Sequence, residues 1–400
     1  MKYWRGYLTA AIIAAMTWGL VTFAKTHTAL VDMVYPYVTR LIQTFLAGWS
    51  GGVSFCLWQV FLVLLGIFAV ASVVLIIVLR LNPVQIIGWF TAAASLLFFL
   101  NTGLYALNYH AGPLAEDIRL ELADVTISQL VDAASHYREE ADKLAAEVPR
   151  DAEGNVAFSD FETLSKEAAA GFEKLTYEDA ISIFAGSTVP VKKLSNPGSF
   201  SAKGVSGVTV ALTGEAAVNP EIPPISMPFI MCREMSRRMS IVDDQDANFA
   251  GFLAARANPS VQFQYSAYFM AFYHCYNALS ADSTSTAKQA MLTLRGGMSD
   301  QLSADMESYD AFWADAISPG AAAREESLKN LYLGLNGVKV EEETTAQVTE
   351  LFVSLYVQEV VVPMHKVEEI IFDPYDEDMV DFSLPPETVP QETEPTEATK

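Results

Sequence analysis

The central stretch of this chain reads Pro228-Phe229-Ile230-Met231-Cys232-Arg233-Glu234-Met235-Ser236-Arg237, and soon afterwards Asp243-Asp244-Gln245-Asp246-Ala247-Asn248-Phe249. Proline is tolerated in the first turn of a helix, so the stretch predicts a helix that begins at Pro228. Residues four apart lie on the same helical face, which places Arg233 and Arg237 together with Glu234 between them. The sequence therefore predicts two guanidinium groups and one carboxylate on the central helix.

The spacing of these charges has the layout of the His-Glu-x-x-His helix of zinc peptidases. In that helix two imidazoles one turn apart bind the metal, and the glutamate acts as general base on the metal-bound water. Here Glu234 keeps the general-base position, but Arg233 and Arg237 take the two histidine positions. Arginine stays protonated and has no lone pair to offer a metal. Ordinary zinc hydrolysis is excluded on this pattern, and we predict no cofactor.

Charge divides the chain into two unlike parts. Residues 1–112 hold five basic residues and one acidic residue, a net charge of +4, and the total of −23 leaves −27 for the remainder. Nucleic-acid binding relies on lysine and arginine, so the acidic part argues against a nucleic-acid partner. The three cysteines, Cys56, Cys232 and Cys275, give no regular disulfide framework, and a single Cys232–Cys275 bridge is left open.

Three uncharged apolar segments are predicted to cross the membrane, at about residues 8–24, 53–79 and 84–107. The first also has the basic start and apolar centre of a cleaved signal peptide, so both interpretations are open. Residues 25–50 place apolar side chains on one helical face, which fits a helix at the membrane interface. No charge lies within the spans, which weakens the transporter interpretation.

The second and third segments form a helical hairpin, which places the C-terminal part on the side opposite to Arg80. Lys2, Arg5 and Arg80 on one side, against Lys25 and Arg40 on the other, give a weak positive-inside bias. We therefore expect residues 1–112 to be a multi-pass anchor in the cell membrane, and the C-terminal domain to be extracytoplasmic.

The remaining residues predict a mainly α-helical domain, residues 113–372, with little β structure and a disordered acidic tail at residues 373–400. Thr126-Ile127-Ser128-Gln129 and Ser159-Asp160-Phe161-Glu162 read as capping boxes of helices near 127–147 and 160–175. Residues 205–212 alternate in polarity and predict a strand or part of a hairpin. Helices are also expected at about residues 261–279, 299–316, 321–335 and 344–361.

Scattered motifs give the chain a family resemblance. They are Leu107-Asn108-Tyr109 with Pro113-Leu114, Thr213-Gly214-Glu215-Ala216 with Asn219, Pro228-Phe229 with Glu234, Asp246-Ala247-Asn248-Phe249, Phe312-Trp313, and Tyr332-Leu333 with Asn336-Gly337. In this order they resemble the bacterial membrane-protein family catalogued as domain of unknown function 3810. The resemblance runs from the first span to about Val361.

The resemblance implies a three-span anchor that carries an external, zincin-like domain with His-Glu-x-x-His. Carried over by position, the metal-binding histidines fall on Arg233 and Arg237, the catalytic glutamate on Glu234, and an acidic third ligand on Asp244. Only Glu234 keeps its residue type. Asp246 and Asn248 belong to one of the resembling motifs, and we predict that they support the site.

Four interpretations of the central motif are open. The arginines and Glu234 could form a solvated helix face with ion pairs at i,i+3 and i,i+4. A metal site could be rebuilt from Cys232, His274, Cys275 and Asp244. Alternatively, guanidinium–carboxylate hydrogen bonds could replace the metal between two helices, since zinc and two arginines each contribute +2. Finally, the paired arginines could hold a carboxylate such as a peptide C-terminus.

We predict a membrane-anchored, non-catalytic binding or regulatory module at the cell envelope. Its expected partners are the lipid bilayer and an envelope protein or peptide ligand. The alternatives are a zinc metallopeptidase with a rebuilt metal site and a purely structural envelope protein. No Gly-x-Ser-x-Gly, Walker or Gly-x-Gly-x-x-Gly motif points to other enzyme chemistry.

Overall fold

The computed structural model describes residues 2–339 and 345–363, and these residues are mostly helical. The helices are α1 (Arg5–Thr26), α2 (Thr28–Ser50), α3 (Leu57–Val78), α4 (Pro83–Leu104), α5 (Leu114–Asp117), α6 (Ile127–Ala145), α7 (Phe161–Glu167), α8 (Ala169–Tyr177), α9 (Pro197–Ser201), α10 (Met227–Arg238), α11 (Asp244–Ala257), α12 (Val261–Ala281), α13 (Ser285–Gly296), α14 (Asp300–Ala316), α15 (Pro319–Leu335) and α16 (Thr345–Tyr356). A π-helical turn at Val357–Val361 follows α16.

Three of these helices, α1, α3 and α4, are long and apolar enough to cross a membrane. The three long apolar helices predicted from the sequence are therefore confirmed, with different ends. α3 begins at Leu57, so residues 53–56, which were predicted to belong to this segment, are not helical. α4 ends at Leu104, before the predicted end at residue 107. α1 and α4 pack together at Gly6 and Gly88, where a Cβ on Gly6 would overlap the Gly88 backbone. The C-terminal ends of α1 and α4 lie on the side of the domain, because Gly337 closely approaches Lys25 of α1 and Asn336 accepts from Thr102 of α4.

α2 confirms the helix predicted in residues 25–50, and its two faces differ in polarity. Its polar face meets the domain, where the hydroxyls of Thr39 and Ser240 lie 2.8 Å apart and Gln43 donates to the Ala211 carbonyl at 3.0 Å. Its other face exposes a run of large apolar side chains: Leu30, Met33, Val34, Tyr37, Val38, Leu41, Ile42, Phe45 and Trp49. This amphipathic pattern agrees with a helix at the membrane interface, which remains a prediction.

The domain encloses one large apolar core, to which α6, α10, α11, α12 and α16 contribute. α12 carries several aromatic residues that belong to this core: Phe263, Tyr265, Phe269 and Phe272 are fully buried. Tyr137 of α6 donates a hydrogen bond of 2.7 Å to the Phe352 carbonyl of α16. The aromatic helix is therefore a core helix, as its apolar coverage on most sides predicts.

A small three-stranded sheet lies against α10. Its strands are β1 (Lys192–Lys193), β2 (Gly207–Val210) and β3 (Glu215–Val218), in the order β1-β3-β2. β2 and β3 pair antiparallel as a hairpin, with Val210 opposite Glu215, and β1 pairs parallel to β3. The strand predicted within residues 205–212 is confirmed as half of this hairpin.

Local caps explain several helix boundaries. Thr126 and Gln129 form the predicted capping box. At the second predicted box the prediction is wrong, because Asp160 and not Ser159 is the N-cap, accepting from the Glu162 and Thr163 N–H groups. A carboxylate at the cap is favoured there by the helix dipole.

The later helices agree with the sequence pattern in outline. α12, α14 and α15 match the predicted segments within a few residues, and Gly337 has the positive φ of +74° expected beyond the end of a helix. α13 was not predicted, because its apolar residues are few and its boundaries lie in polar sequence. The predicted tail at residues 373–400 lies outside the described residues.

A buried ion pair joins the sheet to the membrane helices. Lys192 Nζ lies 2.6 Å from Glu215 Oε1, and the Glu215 carboxylate accepts from the N–H groups of Leu57 and Trp58 at 2.7 and 3.0 Å. Lys192 also donates to the carbonyl of Ser50 at 2.8 Å. The pair thus places a negative group at the start of α3 and a positive group at the end of α2, as the helix dipoles favour. It also explains why α3 starts at Leu57.

The hairpin turn needs glycine at residue 214. Gly214 has φ of +65°, and a Cβ there would lie 2.5 Å from the backbone nitrogen of Ala47 and 2.8 Å from the Leu46 side chain. Only a residue without a side chain fits this close approach to α2. Gly214 brings the hairpin against α2, and Glu215 follows it directly to cap α3.

Candidate functional site

α10 is almost entirely buried. Its N-terminal half packs in the core through Phe229, Ile230, Met231 and Cys232, which are at most 3% exposed. Pro228 lies in its first turn, as predicted, where no intrahelical N–H is needed. The charged residues of the motif are therefore held on a helix surrounded by protein.

Glu234 is fully buried and is paired with its neighbour. Arg233 donates to Glu234 Oε1 from Nε at 3.0 Å and from Nη2 at 2.7 Å. Thr209 of β2 donates to the other carboxylate oxygen at 2.9 Å, and Ser206 accepts from Arg233 Nη2 at 3.0 Å. Both oxygens of the carboxylate are occupied, so Glu234 is held rigidly between α10 and the sheet.

Arg237 pairs across the gap between α10 and α11. Its guanidinium contacts the Asp244 carboxylate, and Lys329 of α15 contacts the second oxygen of Asp244. Burial would lower the pKa of Arg237, but the carboxylates of Glu234 and Asp244 outweigh it and raise that pKa above its ordinary value. Burial would raise the pKa of Asp244, but Arg237 and Lys329 hold it below the ordinary value. Arg237 and Asp244 are therefore both charged at neutral pH.

Arg238 shows that the solvated-face interpretation is wrong. Its side chain is only 1% exposed and donates to the carbonyls of Ser187, at 2.9 Å, and of Val189. Glu234 pairs with Arg233 rather than with Arg237 or Arg238 at i+3 or i+4. The motif faces the interior because α10 is covered by the sheet on one side and by α11 and α12 on others.

One stripe of α11 faces the motif. Asp244 contacts Arg237, and at Gly251, seven residues later, a Cβ would lie 2.9 Å from the Arg233 backbone. Asn248 lies between them on the same stripe and is partly buried. The structure therefore brings together Arg233, Glu234, Arg237 and Asp244, and Asn248 lies on the same stripe of α11. The functional roles of these residues remain predictions.

Asp246 points away from this group. Its carboxylate accepts from the Leu114 N–H at 3.1 Å and lines a separate cleft of about 340 Å³ beside α2. Asp32, Asp117, Asp243 and Glu350 also line that cleft. The pKa of Asp246 is raised to about 7, mainly by burial. The hydrogen bond from the Leu114 N–H opposes this rise, and the carboxylates of Asp243 and Asp117 add to it. Asp246 therefore fixes the chain at Leu114, where the domain begins, rather than the side chains around Arg233.

The raised pKa of Asp246 predicts a pH effect on stability. Between its ordinary value, 3.8, and about 7, the folded chain holds a proton that the unfolded chain releases. The free energy of unfolding should therefore fall as pH rises through this window. We expect Asp246→Asn to remove that part of the fall, since an amide oxygen still accepts from Leu114. Thermal melts of both chains between about pH 4 and pH 8 measure it, and parallel curves for the two chains would contradict the assignment.

The thiols and His274 form no metal site with Asp244. Cys56, Cys232 and Cys275 are free and buried, so the Cys232–Cys275 bridge is absent. His274 stacks on Phe352 with ring centroids 5.7 Å apart, and burial beside Arg233 lowers the pKa of His274 to about 4. In the part of the chain that the structure describes, no three His, Cys, Asp or Glu side chains are grouped to hold a metal ion.

Three residues of the group were not identified from the sequence. Ser206 and Thr209 lie in a segment rich in glycine and serine, and Lys329 lies 85 residues after Asp244. The alternation of polar and apolar residues in the predicted strand is the one sequence signal that could have placed Thr209 on the inward face. Nothing in the local sequence signals Lys329.

Comparison with known protein families gives a match to this chain. A family model described as protein of unknown function (DUF3810) matches residues 31–353. No curated protein and no solved structure matches the chain. The matched range runs from the first turn of α2 through most of α16, so it includes the two later candidate spans and the whole Arg233 group.

Proposed function

This chain belongs to the family of proteins of unknown function DUF3810, and we propose that it is a non-catalytic binding module anchored in the cell membrane. In this proposal the domain is extracytoplasmic and has the layout of a metallopeptidase without its metal. Ion pairs take the place of zinc: Arg237–Asp244 links α10 to α11, and Arg233–Glu234 fills the position of the general base.

The geometry argues against hydrolysis by this group. Glu234 is fully buried and both its oxygens already accept hydrogen bonds, so solvent water does not reach its carboxylate in this arrangement. A general base must lie within hydrogen-bond reach of the proton that it removes. Arg233 blocks that reach on one side and Thr209 on the other.

One observation supports a binding role: the group carries an excess positive charge. Arg233, Arg237 and Lys329 face only two carboxylates, those of Glu234 and Asp244. Within the described residues Arg233 Nη1 makes no hydrogen bond, and the side chain is 16% exposed. A guanidinium edge that can be reached from solvent suits a carboxylate, and we propose the free C-terminus of an envelope peptide as ligand.

The test compares two pools of short peptides of mixed sequence, one with free C-terminal carboxylates and one amidated, on the full chain in lipid nanodiscs. We expect the carboxylate pool to bind about tenfold more tightly, because a charge-assisted hydrogen bond contributes about 1.5–3 kcal/mol. Arg233→Gln should remove this preference, and Arg295→Gln, at an exposed arginine on α13, should leave it unchanged.

A preference that survives Arg233→Gln would show that the ligand binds elsewhere. Equal or absent binding of both pools would overturn the binding role and leave the purely structural alternative.

A further inference from the structure

α15 is attached to the rest of the protein by polar contacts at intervals along its length, and none of its residues is buried. Before it starts, the Ser318 N–H donates to the Ala202 carbonyl at 2.9 Å. Glu325 lies 3.4 Å from Lys203, and Lys329 contacts Asp244. A helix of 17 residues without a buried face usually needs another apolar environment.

The C-terminal half of α15 has an exposed apolar stripe. Leu328, Leu331 and Leu335 are 60%, 58% and 57% exposed, and their spacing puts them on one face. Arg324 lies one turn earlier on the same face and is also exposed. The face therefore changes from polar to apolar towards the end of the helix.

The apolar half lies beside the membrane helices. Tyr332 donates to Asn101 Oδ1 of α4 at 2.7 Å, and its ring packs edge-on against Phe98 at 6.4 Å between centroids. At 1.5 Å per residue, Phe98 is about 9 Å inside the C-terminal end of α4 at Leu104. The end of α15 is therefore level with the last two turns of a membrane span.

A contact with a second long apolar helix, α1, gives a similar depth for the end of α15. Just after α15, a Cβ on Gly337 would lie 2.7 Å from the Lys25 side chain and 2.9 Å from the Val21 side chain of α1. Lys25 is one residue from the end of α1 at Thr26, and Val21 lies about 7.5 Å inside that end. Two independent contacts thus place the end of α15 level with the last two turns of α1 and α4.

From this placement we propose that the C-terminal half of α15 lies in the membrane, with Leu328, Leu331 and Leu335 in the acyl region of the leaflet on the domain side. α4 also exposes Leu96 and Leu100, close in sequence to Phe98 and Asn101, which contact Tyr332 of α15. An interfacial helix buries its apolar face about 5–10 Å into this layer, which is the depth measured on α1 and α4.

Lipid fits this face better than a second copy of the chain. The apolar residues stop at the depth where the spans end, and the same helix face becomes charged at Arg324, away from the spans. α2 exposes its own apolar face on the same side of the membrane, so the domain would rest on lipid at two helices. Through Lys329 and Asp244, the lipid-bound α15 is then joined to the Arg233 group.

The test uses single cysteines that carry an environment-sensitive fluorophore, at residues 328, 331, 335 and 324, in the full chain reconstituted into phosphatidylcholine vesicles. Cys56, Cys232 and Cys275 are buried, and the unmodified chain measures their labelling background. With brominated acyl chains we expect quenching at Leu328→Cys, Leu331→Cys and Leu335→Cys. It should be at least about twofold stronger at 335 than at Arg324→Cys, the control on the same face.

Equal quenching at all four positions, or none at the three leucine positions, would overturn the proposal. So would disulfide formation between two chains at Leu331→Cys without lipid quenching, which would assign the face to a second copy.

Discussion

Replacing Arg233 and Arg237 together by histidine is expected to make the chain bind about one zinc ion. α10 places both positions one turn apart on the side that faces α11, and Asp244 already reaches residue 237. Two imidazoles with the Asp244 carboxylate supply three ligands, as in catalytic zinc sites. Zinc content after dialysis, measured by mass spectrometry on the full chain, gives the stoichiometry.

The controls separate a designed site from adventitious metal. Arg233→His with Arg238→His has the same two histidines, but the side chain at residue 238 points to the Ser187 and Val189 carbonyls, so zinc should not be retained. Adding Asp244→Ala to the Arg233→His, Arg237→His chain should lose the zinc. Stoichiometric zinc in the unmodified chain, lost on Glu234→Ala or Asp244→Ala, would contradict the replacement of metal by ion pairs.

Glu215→Ala is expected to destabilise the chain more than the loss of any exposed ion pair. It leaves the Lys192 ammonium buried without its carboxylate and removes the acceptor of the first N–H groups of α3. Breaking a buried pair costs about 3–5 kcal/mol. For a domain of this size that corresponds to a fall of roughly 6–20 °C in the midpoint of thermal unfolding, measured by scanning fluorimetry in detergent.

Two comparisons make the Glu215 result specific. Lys193→Ala breaks the neighbouring exposed pair with Glu162 and should cost at most about 1 kcal/mol. Replacing both members, Lys192→Met with Glu215→Leu, should cost less than Glu215→Ala alone, because no buried charge is left unpaired. A loss in Glu215→Ala no larger than that in Lys193→Ala would show that the pair does not hold the hairpin to the membrane helices.

The helices and the membrane spans could be predicted because their signals are local. A span needs only an uncharged apolar run of sufficient length, and a cap such as Thr126 with Gln129 acts over three residues. The errors also have local causes: Asp160 competes with Ser159 for the cap, and α13 has too few apolar residues to show a period. The start of α3 was misplaced because Glu215, its capping group, lies 158 residues further along the chain.

The candidate site could be predicted only as a set of positions. The spacing of Arg233, Glu234 and Arg237 is a property of the sequence, and the fixed charge of arginine follows from its chemistry. By contrast, the sequence does not show which carboxylate each arginine contacts, because this depends on the segments that pack around α10. Asp246 illustrates this point: two residues after Asp244, it faces another cleft and bonds to Leu114.

By itself, then, the sequence determined that this protein has three helices long and apolar enough to cross a membrane, a helical domain, and two arginines one turn apart beside a glutamate. The tertiary structure alone decided that Arg233 closes on Glu234, that Lys329 reaches Asp244, and that α15 ends beside the membrane helices. The physical reason is the separation along the chain between the residues that interact. Helix formation and lipid burial depend on residues within one segment, whereas a buried charge takes the partner that the packing of distant segments brings to it.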